Sequence, residues 1–296
     1  MRTLTERDYA TYPRRFDGYK WYKPLLVGLI YSVLVVIFSM FVIDLITKAL
    51  FGATVSGMGY DDMDFFTAAG AFSNGMTAAI VVPCMIVAAL IIRDRPISSY
   101  LSSMGGWRWN VFFKTLAVAF VMLGIPIIVL HVLHGRTGDI RFTIGGFIIL
   151  SLLIPLQGFG EELSFRSYIM QTVSSWFMMP VLGIIVQMIV FTAFHPYNIV
   201  GRVEIAVSAV IYALVCVYSR GLESGTALHI INNVTEIYMV GVGFGSITAD
   251  ATIPDTAVNL FFKIVFFAFI LFAYKKLHWF DDVKYDDVEK FNANRK

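Results

Sequence analysis

Cysteine and charge are both scarce in this chain of 296 residues. The only two cysteines, Cys84 and Cys216, sit inside apolar runs. That argues against a disulfide framework, and neither cysteine marks a redox compartment. Charged residues make up 15% of the chain, against about 25% in soluble domains. The basic residues form no stripe with interleaved aromatics, so nucleic acid is excluded as a partner. No internal repeat and no low-complexity tract is visible. The first 23 residues are polar and aromatic, and the apolar run that follows is too long for a signal core, so no cleavable signal peptide is expected.

What the chain does have is apolar length. Hydrophobic residues make up 57%, with a mean hydropathy of +0.71. Apolar stretches match the ~30 Å hydrocarbon core, which takes about 20 helical residues to cross. Nearly all the chain is used this way, which leaves no room for a separate soluble domain. The expected fold is all-α, a polytopic transmembrane helical bundle of about eight spans. These are read at 24–50, 75–93, 109–133, 144–174, 178–197, 203–219, 224–243 and 257–279. Pro126 is expected to kink the third, and Pro155, Gly158 and Gly160 to bend or break the fourth. The organisation follows: an N-terminal segment 1–23, three spans in 24–140, a four-span core 144–243, a last helix 257–279 and a tail 280–296.

Orientation is read from Lys and Arg in the flanks. Sixteen fall on one side: Arg2, Arg7, Arg14, Arg15, Lys20, Lys23, Arg93, Arg95, Arg108, Arg220, Lys275, Lys276, Lys284, Lys290, Arg295 and Lys296. Only three, Arg136, Arg141 and Arg202, fall on the other. A multi-pass protein of the cell membrane with both termini cytoplasmic is expected. The acidic loop of Asp61, Asp62 and Asp64 then faces outward.

A charged group at bilayer depth costs about 2.5–3.5 kcal/mol on insertion scales, so such residues pair, line a cavity or do chemistry. Here they concentrate in the second half: Glu161, Glu162, Arg166, His195, His229, Asn232, Asn233 and Glu236. Glu162 and Arg166 are four apart and can meet on one helix face. Glu161 then points about 100° away, free to face other helices. His229 and Asn233 share a face, which Glu236 continues. If spans four and five turn near residue 178, Glu161 and His195 are each 17 residues from the turn and stand at one depth. A carboxylate beside an imidazole is a general-base pair for water. His229 and the Asn233 amide are donors suited to a tetrahedral oxyanion. Glu204 and Glu236 read as structural or gating residues. Strict alternation of spans sends His195 toward the outer face and His229 toward the inner one, so helices must tilt, break or end early for the two to meet.

Three motifs then stand in order: Glu161-Glu162-Leu163-Ser164-Phe165-Arg166 as EExxFR, Phe191 to His195 as FxxxH, and His229 to Asn233 as HxxxN. Over roughly 144–243 the chain resembles the CPBP family, the type II CAAX prenyl proteases and related bacterial Abi bacteriocin-processing and immunity proteins. The resemblance implies a metal-independent glutamate intramembrane endopeptidase acting on a membrane-associated peptide or protein. It implies that Glu161 and His195 activate water, that His229 and Asn233 form the oxyanion site, and that Glu162 and Arg166 position the first motif. No cofactor or metal is implied.

Three alternatives stand beside this reading. A non-catalytic immunity or scaffold protein could keep the motifs. A transporter using the carboxylates as a proton relay predicts repeated halves, and none is found. A zinc protease has two histidines and a carboxylate in its favour, but HExxH is missing and no cysteine is expected near the site. GxGD-type and GxSG motifs are also missing.

Overall fold

The computed structural model describes residues 8–52, 64–245 and 251–294. Arg2, Arg7, Asp61, Asp62, Arg295 and Lys296 lie outside the described residues, whereas Asp64 lies within them. The described chain is helical, with eight main helices. They are α1 Lys23–Phe51, α2 Ala68–Ile92, α3 Trp109–His134, α4 Ile144–Phe177, α5 Pro180–Ala193, α6 Ile199–Ser219, α7 Glu223–Gly241 and α8 Ile253–Leu277. Six of them are long and apolar enough to cross a membrane, so the chain is a multi-pass membrane protein. The other two differ for separate reasons. α5 has only 14 residues, about 21 Å of helix. α7 is diluted by its polar residues, which include His229, Asn232, Asn233 and Glu236.

Successive helices alternate between two ends of the bundle. At the near end, which holds the first and last described segments, Tyr12 of the N-terminal segment donates to Asp287 of the C-terminal helix Asp287–Ala293 at 2.5 Å. At the far end, Arg141 pairs with Asp64 at 3.0 Å, and Asn198 bonds the Ala251 carbonyl at 3.0 Å. The even-numbered helices share one pattern. Thr67, Thr143, Asn198 and Thr252 cap their far-end starts, each side chain accepting from the backbone N–H three residues on. Arg93, Met178, Arg220 and His278 lie just past their near-end stops at positive φ. These caps explain why α2, α6 and α8 begin earlier than their apolar runs suggest.

α4 departs from expectation. It runs through Pro155, Gly158 and Gly160 without a break. The glycines serve packing instead: a Cβ at Gly158 would press on Ile230, and one at Gly160 on Val81 and Val82. The irregularity comes after them, as a wider π-type stretch at Leu163–Met170 within the first motif. A shorter stretch of the same kind, Phe120–Gly124, precedes Pro126 in α3 and takes up the proline there.

α7 is the central helix. It packs on α3, α4 and α6, and every residue from Glu223 to His229 is buried. Its start is anchored by Arg108, whose Nε and Nη2 each reach a Glu223 oxygen at 2.9 Å while the Arg108 backbone N–H adds a third bond at 2.9 Å. α1 has few buried residues and lies at the periphery.

Candidate active site

α4 and α7 bring two acids onto one imidazole. Glu162 Oε1 lies 2.8 Å from His229 Nδ1. Glu161 Oε2 lies 3.4 Å from His229 Nε2, without hydrogen-bond alignment. Arg166 Nη1 approaches Glu162 Oε1 at 3.0 Å, one helical turn away, as the four-residue spacing predicts. Glu162 and Arg166 are fully buried, whereas 19% of the Glu161 side chain is exposed. The second oxygen of Glu161 accepts from Gln157 at 3.2 Å.

Aromatic rings set the planes of these groups. Arg166 lies over Phe191 at 4.4 Å and over Tyr212 at 5.1 Å. Tyr212 stacks on His229, with centroids 5.0 Å apart and an interplanar angle of 22°. Phe191 also carries His195 at 4.5 Å and meets His229 edge-on at 6.2 Å. The first residue of FxxxH is thus a floor shared by Arg166 and both histidines. Delocalised cations favour aromatic faces, by about 0.5–2 kcal/mol each.

His195 differs from expectation in its partner. No hydrogen bond or ion pair joins it to Glu161. Its Nδ1 lies 2.7 Å from the Phe191 carbonyl of its own helix end. A carbonyl only accepts, so Nδ1 is the donor in this contact and Nε2 is the nitrogen left open. Equal distance from the hairpin turn says nothing about which way His195 faces. The imidazole against Glu161 is that of His229. The two histidines still converge on Phe191, because α5 is short and the first turns of α7 are enclosed. Asn233 is held by its neighbour, Asn232 Nδ2 donating to Asn233 Oδ1 at 3.1 Å. This leaves the Asn233 NH2 group as a donor.

Several residues near the site escaped sequence reasoning. Cys216, set aside as remote, has its thiol 3.7 Å from Glu162 Oε2; α6 packing on α7 puts it there, and no local pattern announces this. Lys263 interrupts the apolar run of α8, a signal legible in principle. It is buried and pairs with Glu204 at 3.3 Å and Ser208 at 2.9 Å. Its ammonium lies 5.9 Å from the Tyr212 ring. Glu236 pairs with His131 at 2.9 Å. Among the described residues, no group of three or more His, Cys, Asp or Glu side chains is arranged to hold a metal ion.

Comparison with known proteins bears on the same segment. Residues 143–235 match the family described as Type II CAAX prenyl endopeptidase Rce1-like. No curated protein and no solved structure matches the chain. The matched segment runs from the cap of α4 to Thr235 of α7 and contains all three motifs. The chain is thus a multi-pass membrane protein whose residues 143–235 are similar to the Rce1-like type II CAAX prenyl endopeptidases, a family of proteases.

Proposed function

We propose that this protein is a metal-independent intramembrane endopeptidase that hydrolyses a peptide bond of a membrane-associated substrate. The observation that carries the reading is the convergence of Glu161 and Glu162 on His229, braced by Arg166. In the first step Glu161 takes a proton from water, oriented by the open Nε2 of His195, and the hydroxide oxygen adds to the substrate carbonyl. The Asn233 NH2 group donates to the resulting oxyanion, with His229 beside it as the second residue of the oxyanion site. Collapse breaks the C–N bond, and protonated Glu161 returns its proton to the leaving amine. Glu162 holds His229 through Nδ1, and Arg166 neutralises Glu162. The cation in this arrangement is a guanidinium, which supports chemistry without metal. A general base is worth about 10²–10⁴-fold in rate.

The proposed setting is the cell membrane, with eight crossings and both termini cytoplasmic. The bias of basic residues toward the near end supports this orientation.

The test is the Glu161→Ala variant in proteoliposomes or in cells. The expected result is normal insertion with loss of cleavage. Unchanged cleavage or phenotype would remove the catalytic reading and favour a scaffold. Chelator treatment is expected to leave activity intact, and inactivation would favour zinc.

A further inference from the structure

The site is graded in exposure along the bundle axis. Arg166 and Glu162 are fully buried, and Glu161, on the far-end side of them, is partly exposed. Along α7 the polar residues differ by position, although Met239, Val240 and Gly241 at its far end are buried again. Its first seven residues are buried, whereas Asn232, Asn233 and Glu236 are all partly exposed. His195 lies just beyond the far-end stop of α5, also partly exposed, and Tyr197 stacks beside it with centroids 6.1 Å apart. That loop therefore begins beside the Phe191 ring, which carries His195 at 4.5 Å and meets His229 at 6.2 Å.

The near end is closed by contacts between its segments. Tyr9 donates to the Tyr100 carbonyl at 2.7 Å. Gln171 bonds the Tyr9 carbonyl at 2.8 Å and takes Arg95 at 2.5 Å. Arg108 and Glu223 form their buried pair beneath the start of α7. Water and peptide need a polar path to Glu161, because bare hydrocarbon penalises each unsatisfied backbone group by several kcal/mol. Among the described residues, His195, Asn232, Asn233 and Glu236 are partly exposed on the far-end side of Glu161, whereas Glu162 and Arg166 on its near-end side are buried.

We propose that the scissile peptide bond reaches Glu161 from the far end, past residues 194–198, so that the substrates are peptide segments on the extracytoplasmic side of the membrane. This rests on the endopeptidase reading and on the cytoplasmic termini.

Thiol labelling tests access without requiring catalysis. In a background with Cys84→Ser and Cys216→Ala, three single variants are compared: Glu161→Cys, Pro196→Cys and Lys290→Cys. A small, membrane-impermeant methanethiosulfonate is applied to right-side-out and to inside-out vesicles. Glu161→Cys and Pro196→Cys are expected to react in right-side-out vesicles and Lys290→Cys only in inside-out ones. Labelling of Glu161→Cys from the Lys290 side, or from neither side, overturns the access route. Labelling of Pro196→Cys only in inside-out vesicles overturns the substrate class.

A second arm separates the two readings. Wild-type protein is given N-acylated, internally quenched peptides of mixed sequence, placed in the outer leaflet of right-side-out or of inside-out vesicles. Cleavage confined to right-side-out vesicles supports the proposal, and cleavage confined to inside-out ones overturns it. Outside labelling of Glu161→Cys with no cleavage in either preparation overturns the endopeptidase reading while the access route stands.

Discussion

Removing the guanidinium of Arg166 leaves a carboxylate in the protein interior without its cation. At 3.0 Å and an effective dielectric of about 20, the gross attraction 332/(20 × 3.0) is about 5.5 kcal/mol. Desolvation offsets part of that, and breaking one side of a buried pair costs about 3–5 kcal/mol. None of the Arg166 N–H groups is aligned on an acceptor among the described residues, so charge and ring contacts carry the interaction. Arg166→Leu is therefore expected to lose about 3–5 kcal/mol. Adding Glu162→Gln removes the stranded charge, and the double variant is expected to recover about 2 kcal/mol of that loss, within the usual range for coupled neighbours. Denaturant unfolding in detergent micelles, followed by tryptophan fluorescence, measures both. A loss under about 1 kcal/mol for Arg166→Leu, or no recovery in the double variant, would refute the argument that charge pairing holds this site together.

Other outcomes follow from the same geometry. Asn233→Ala removes an oxyanion donor and is expected to lower kcat by about 10²–10³-fold with unfolding unchanged; a loss confined to KM would contradict the assignment. Gly225→Ala alters no charged or polar side chain, yet its Cβ would fall 2.5 Å from Cys216 Sγ and 2.9 Å from Glu162 Oε2. It is expected to cost about 1–3 kcal/mol and to depress cleavage by displacing Glu162, and an unaffected enzyme would show that the carboxylate has room to move. At the near end, burial raises the Tyr9 and Tyr100 phenols above their ordinary value of 10.0. The unfolded chain then ionises first, so their stabilisation is full below pH 10 and is lost as pH rises from there toward the folded values. Melting in micelles between pH 9 and 11 is expected to show this alkaline loss, with a shallower slope in Tyr100→Phe; identical slopes would assign the loss to other groups.

Much of the site was legible because a membrane makes polarity conspicuous. Glu161, Glu162, Arg166, His229 and Asn233 stood out as exceptions to an apolar background, and helical spacing paired Glu162 with Arg166 as found. The partner of Glu161 was not legible. Counting from the hairpin turn pointed to His195, but the rotation of a helix end decides which ring faces the acid. A wider helical stretch at Leu163–Met170 and the turn of His195 toward the Phe191 carbonyl are both set by packing. Lys263 could have been noticed, since a lysine in NLFFKIVFF demands a partner. Naming Glu204 and Ser208 as that partner required knowing that α6 lies against α8.

By itself the sequence determined an apolar helical membrane chain, the positions of most helices and the group of side chains that water and hydrocarbon would not both tolerate. Those properties depend on transfer free energy and on the period of a helix, which are local to each segment. Only the tertiary structure decided that both acids meet His229, that Phe191 and Tyr212 floor the cluster, and that Cys216 touches Glu162. Those contacts join residues from four helices, α4, α5, α6 and α7. Their geometry is fixed by how whole helices pack and rotate against each other, which no single segment encodes.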